Sequence, residues 1–165
     1  MAVTSVVKVP LVKCVASDAI TFAGAGANSK IVTIGTQVYT STTTPGAVAY
    51  AYKPGADQTT AAQYLTECIN ASGTAANFGT ATVVNPDVVA TQVDNVVSLT
   101  ARIAGSMANG IVISTDETNG TAGGATLGAC TGTNGSGSLP AAIAAALTGL
   151  VDPKAKTISF LNEVV

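Results

Sequence analysis

One short stretch, Thr60-Ala-Ala-Gln-Tyr-Leu-Thr-Glu-Cys-Ile-Asn-Ala71, stands between two long segments whose apolar residues alternate with polar ones. Within it Ala61, Leu65, Cys68 and Ile69 recur at spacings of three and four. That period makes one apolar stripe on a helix, which must be buried against something. Thr60 and Gln63 have the spacing of a capping box, so the helix is expected to start at Thr60. The flanking segments, Lys30 to Thr40 and Val88 to Ile103, have the two-residue period of half-buried strands. Gly35 in Ile34-Gly-Thr-Gln37 suits the first central position of a type II′ turn, and Asp94-Asn95 are the non-glycine pair that best tolerates left-handed geometry. Each segment therefore folds into an antiparallel hairpin. The expected architecture is α+β and mostly β: two antiparallel hairpins packed on a short amphipathic helix, with a second helix near the C-terminus.

A chain of 165 residues is expected to form one domain. Val3 to Val15 reads as an extended arm or edge strand, since Pro10 removes a ladder donor. Residues 16–114 form the β-rich core module. Within it Ala19 to Phe22 is a short strand, and the Pro45-Gly46 and Pro54-Gly55 turns enclose one short extended piece, Val48 to Tyr52. Tyr50 and Tyr52 would share a face of that piece, either as aromatic cover over the sheet or as contact residues. Thr80 to Val84 and Ile111 to Ser114 are further candidate strands. Residues 115–165 complete the domain with three pieces. From Thr115 to Gly137 the chain is Gly, Thr, Asn and Ser with few large apolar residues, a surface loop or a segment that orders on contact. Ser138 to Leu150 is the second helix, with Leu139, Ile143, Leu147 and Leu150 as its stripe, and Lys156 to Leu161 a last strand.

Several classes of chemistry are disfavoured. There is no histidine, and the adjacent acids Asp116-Glu117 lie beside Asn119-Gly120 in what reads as a solvated turn, with a weak cation site as the alternative. Gly24 to Lys30 lacks both the spacing of a phosphate loop and a following helix. No enzyme activity, cofactor or metal is expected. Seven Lys plus Arg scattered along a chain of net charge −2 do not form a basic face, so no direct nucleic-acid binding is expected. No apolar run is long enough to span a membrane, and residues 1–10 lack a signal-peptide pattern, so synthesis in a cytoplasm is expected. Cys68 sits on the helix stripe as a small core residue, while Cys14 or Cys130 could cross-link chains.

Charged residues are 10% of the chain, against roughly 25% in an average soluble domain. This is either a small-residue surface rich in Ala, Thr, Ser and Gly or, since low charge is what the cores of protein interfaces show, a homo-oligomer with much of its surface covered by other subunits; the second is the expectation.

The succession Ala19-Ile-Thr-Phe-Ala-Gly24, Ile31-Val-Thr-Ile-Gly-Thr-Gln-Val-Tyr-Thr40, Thr60 to Ala71 and Val96 to Ser114 resembles a module of tailed-bacteriophage structural proteins. In that module a strand, a V-T-I-G-x-x-x-Y-T hairpin, an A-x-x-L-x-x-x-I-N-A helix and a V-x-L-T-A-x-x-x-G-x-x-G-N hairpin follow one another. Here Ala108 stands where the glycine before Asn109 is expected, and Gly110 follows instead. The resemblance implies a virion part, assembled in the host cytoplasm. Such modules occur in capsid decoration proteins, head fibres and tail components. A short chain without heptads or collagen repeats argues against a long fibre, and the N-terminal arm, low charge and Gly/Thr-rich segment suit a decoration, or cement, protein: a homotrimer that bridges neighbouring copies of the major capsid protein or other virion proteins. Val3, Val6, Val7, Val9 and Leu11 of the arm, with Tyr50 and Tyr52, are its candidate contacts. The alternatives are a receptor- or glycan-binding module of head fibre or tail, and a tail-tube or connector subunit.

Overall fold

The structure is a computed structural model that describes residues 15–104 and 106–128. Among them the chain is mostly β, with eight strands in two sheets and one α-helix. The first sheet has the order β5-β6-β1-β8, built from β1 (Ser17–Phe22), β5 (Val88–Val93), β6 (Val96–Ala101) and β8 (Gly120–Ala122). The second has the order β4-β3-β2-β7, built from β2 (Ile31–Ile34), β3 (Gln37–Ser41), β4 (Ala51–Tyr52) and β7 (Ile113–Thr115). All pairings are antiparallel except β3 with β4, which is parallel.

Both hairpins form where the turn residues place them. Gly35 has φ +62° between Ile34 and Gln37, and Asp94 has φ +51° between Val93 and Val96. Each turn thus puts positive φ on its first central residue, as a type II′ turn requires.

The helix α1 (Gln58–Asn70) starts earlier than its capping signal suggested. Asp57 is the N-cap: its carboxylate accepts from Thr60 N–H at 2.8 Å, and Thr60 Oγ1 accepts from Asp57 N–H at 3.1 Å. Thr60 therefore serves as the third helical residue. The expected partner Gln63 instead donates to Glu67 Oε1 at 2.8 Å, one turn along. At the other end Ala71 takes the left-handed conformation (φ 46°, ψ 41°) and Ser72 N–H donates to Glu67 O.

Ala61, Leu65, Cys68 and Ile69 are all fully buried, as the stripe requires. They do not lie on both hairpins equally. The helix packs on β5, β6 and β1, with β4 beside it, while the β2–β3 hairpin belongs to the other sheet. The two sheets nevertheless share one core, in which Ile20, Phe22, Val32, Ile34, Tyr39, Leu99 and Ile113 join the helix residues.

Three expectations need correction. Thr80 to Val84 forms no strand; it runs past β4, where Thr82 Oγ1 accepts from Tyr50 N–H at 2.9 Å. The start of the Gly/Thr-rich stretch is not a loose loop. Residues 120–122 pair with β1 as β8, residues 125–127 hydrogen-bond to residues 111–113, and Gly128 N–H returns to Ser17 O at 2.9 Å. Backbone pairing holds this segment, with Leu127 as its one buried apolar anchor, so its lack of large side chains does not prevent order. It is a strap that joins the first sheet, at β1, to the second, at β7. Third, Glu117 is buried within the strap and is not part of a solvated turn.

The expected arm with Val3, Val6, Val7, Val9 and Leu11, the helix over Ser138 to Leu150, the strand over Lys156 to Leu161, and Cys14 and Cys130 lie outside the described residues.

Candidate docking surface

Strand alternation decides what each sheet shows to solvent. On the first sheet Val88, Ala90, Ile20, Phe22, Val97, Leu99 and Ala101 point into the core. The opposite face is therefore Val89, Thr91 and Val93 from β5; Val96, Ser98 and Thr100 from β6; Ser17, Ala19 and Thr21 from β1; and Thr121 from β8. Register puts them in rows: Val89, Thr100 and Ser17; Thr91, Ser98 and Ala19; Val93, Val96, Thr21 and Thr121. None of the ten is charged. Val93 is 69% exposed and Val89 37%.

The second sheet repeats the pattern. Its outward residues Ile31, Thr33, Val38, Thr40 and Ser114 are uncharged, with Ile31 and Val38 exposed. The charged residues lie elsewhere. Lys30, Lys53, Asp87, Asp94, Arg102 and Asp116 stand in turns or just beyond strand ends, Asp57 and Glu67 belong to the cap and body of α1, Glu117 lies in the strap, and Asp18 points to the inner side of β1. Charge has been kept off both sheet faces. On a solvated sheet face Lys, Glu and Thr normally alternate with the core residues, and charges discourage association.

The β5 edge of this surface is closed. In a two-residue hairpin Val93 and Val96 bond each other, so Val89 and Thr91 face β6, and the N–H and C=O of Val88, Ala90 and Gln92 point outward. Asn70, the last helical residue, donates its amide to Ala90 O and accepts from Ala90 N–H. Asn85 Oδ1 accepts from Val88 N–H at 3.0 Å. With Ala90 and the Val88 N–H already bonded, an added strand would find only the Val88 carbonyl and the backbone of Gln92 to pair with at this edge.

Buried polar groups hold the frame behind this surface. Glu117, 4% exposed, accepts from Tyr52 Oη and from Ala27 N–H, both at 2.9 Å. Burial, followed by the Glu117 charge, raises the Tyr52 phenol far above its ordinary range, so it stays a donor. Asn85, fully buried, donates to Tyr39 Oη at 2.9 Å and accepts from Asp87 N–H and Val88 N–H, while its carbonyl accepts from Arg102 Nε. Burial likewise raises the Tyr39 phenol, and it pushes the Cys68 thiol up to about 12.

Of the two candidate contact tyrosines, Tyr52 has no exposed surface and offers nothing to a partner. Tyr50 keeps part of its surface but packs edge-to-face on Tyr39, ring centroids 5.8 Å apart, with its backbone left-handed at φ +58°. That conformation cuts the expected extended piece down to β4, Ala51–Tyr52, and both tyrosines pack with the core. The outer sheet faces went unrecognised in the sequence although their signal is there. Every second residue of β5, β6 and β1 is Val, Thr, Ser or Ala, and a charge is missing at each place where a solvated strand would carry one.

Among the described residues no three of His, Cys, Asp and Glu come together as metal ligands would, and no helix is long and apolar enough to cross a membrane. No protein-family model, curated protein or solved structure matches the chain.

Proposed function

We propose that the protein is a structural component of a tailed-phage virion, and within it a capsid decoration protein that bridges neighbouring subunits of the head lattice. The observation that carries this reading is the charge-free outer face of the first sheet, a rigid surface that can be buried without stripping water from any ion. Three strands of six residues and one of three, ~4.8 Å apart, give it roughly 300 Å², against about 800 Å² per partner in a standard interface. One face alone is too small to hold the protein on a particle. The second sheet's outer face and the valine-rich segment from Val3 to Leu11 supply further contact. Copies of the same chain, associated as a trimer, multiply the contacts without new affinity per subunit. Burial of these apolar groups contributes about 25 cal/mol per Å² before the cost of association.

Light scattering of the purified protein, followed by co-sedimentation with heads that lack it, tests the reading. A trimer that binds heads and raises their resistance to heat is the expected result. A monomer or a ring that ignores heads overturns it in favour of a tail component. Deletion of Ala2 to Val9 is expected to leave a folded protein that no longer sediments with heads.

A further inference from the structure

A shallow cleft of about 300 Å³ opens where the connection from β4 to α1 passes the helix, lined by Thr43, Lys53, Pro54, Gly55, Ala56 and Tyr64. That volume stands at the lower bound of small-molecule sites, about 300 to 1,000 Å³, so the cleft suits a single ring. Its backbone is fixed in advance. Gly55 has φ +76°, and a Cβ there would lie 2.3 Å from Ala61 N. Thr43 N–H donates to Asn28 Oδ1 at 3.1 Å, and Lys53 N–H to Asn77 O at 2.8 Å. Tyr64, half-buried against the core, and Pro54 give the cleft its apolar surface.

Lys53 is the one charged residue of the lining. The carboxylates of the adjoining helix and its cap, Asp57 and Glu67, stand outside the lining and bond within their own segment. Asp57 accepts from Thr60 N–H, while Glu67 accepts from Gln63, Thr74 and Asn77. The lining thus brings together an aromatic, a hydroxyl-bearing and a cationic residue, with no carboxylate among them. We infer that it binds a pyranose bearing a carboxylate, a sialic or uronic acid. The apolar C–H face of the sugar lies on the Tyr64 ring, its carboxylate meets Lys53 in a charge-assisted hydrogen bond, and a ring hydroxyl meets Thr43. The inference does not rest on the docking reading, because none of these residues belongs to a sheet face.

Saturation-transfer NMR and calorimetric titration of the full chain with sialyllactose and with a glucuronate disaccharide, each against its neutral counterpart, test it. At least one acidic sugar is expected to bind with a Kd in the millimolar range or tighter and to perturb the signals of Lys53 and Tyr64. Lys53→Gln, a change at the rim that leaves the fold intact, is expected to weaken binding about tenfold, the loss of one charge-assisted hydrogen bond. Tyr64→Phe, which keeps the ring, is expected to hold affinity within about twofold. Equal binding of neutral and acidic sugars, unchanged affinity in Lys53→Gln, or no binding of either acid at ~20 mM overturns the assignment.

Discussion

The side-chain amide of Asn70 donates to Ala90 O at 2.7 Å and accepts from Ala90 N–H at 3.1 Å, the two bonds that a neighbouring strand would make at that position. A helix end thereby closes the edge of β5. Asn70→Ala leaves both backbone groups of Ala90 without these partners, and the expected loss of stability is about 1 to 3 kcal/mol by denaturant unfolding. The same variant is expected to self-associate more readily in light scattering, because the edge is reopened. A stability within about 0.5 kcal/mol of the parent, with unchanged scattering, would show that the pairing contributes nothing.

Glu117 serves two donors from distant parts of the chain, Tyr52 Oη and Ala27 N–H. Glu117→Ala is expected to cost about 3 kcal/mol, since the buried Tyr52 hydroxyl and the half-buried Ala27 N–H both lose their acceptor. Tyr52→Phe, which removes a donor but leaves Glu117 bonded to Ala27, is expected to cost less. The double variant is expected to fall well short of the sum, and additive losses in thermal unfolding would show that the two side chains are not coupled.

The Cys68 thiol, pushed up to about 12 from its ordinary 9.0, and the phenols of Tyr39 and Tyr52, raised above 10.0, are held neutral mainly by burial. In the unfolded chain these groups ionise near their ordinary values. The stability that their neutral forms contribute is therefore complete below pH ~9 and falls as pH rises from there through the folded values. Cooperative alkaline unfolding is expected, in which Tyr39 and Tyr52 ionise together with the loss of far-UV circular dichroism. If all four tyrosines ionise before that signal changes, the burial assignment is wrong.

Thr91 stands in the middle row of the charge-free face, beside Ser98 and Ala19. Thr91→Lys is expected to leave stability within about 0.5 kcal/mol, because the side chain points to solvent. Head binding is expected to fall sharply, since docking would bury an unpaired ammonium. Undiminished co-sedimentation of Thr91→Lys would remove this face from the docking surface.

Ala71 closes α1 in the left-handed conformation, where a Cβ is unfavourable. Ala71→Gly is expected to raise stability by about 0.5 to 1 kcal/mol in urea unfolding, the reverse of the usual effect of glycine. A loss of stability would show that Ala71 makes compensating contacts.

Local pattern made the helix stripe and both hairpin turns legible, because each is specified by residues close together in the chain. The helix start was misread by three residues, since Asp57 with Thr60 and Thr60 with Gln63 have the same spacing, and only the Pro54-Gly55 turn just before Asp57 favours the earlier cap. The polar frame was not legible at all. Asn85 meets Tyr39 across 46 residues of sequence, and Glu117 meets Tyr52 across 65. Nothing near Asn85 or Glu117 in the sequence marks either as buried. The order of residues 116–128 was missed for a related reason: composition reports what side chains can bury, while this segment is held by backbone bonds to β1 and β7.

The strap is the last of the described segments to leave the ribosome. Until it emerges, β1 can pair only with β6 and lacks β8 and Gly128, and β7 lacks the bonds from residues 125–127. A chain that ends before Gly120 therefore has only β5, β6 and β1 in its first sheet and lacks the backbone tie to β7. Such a truncation would hold the protein at that stage, and the order of assembly could then be followed one sheet at a time.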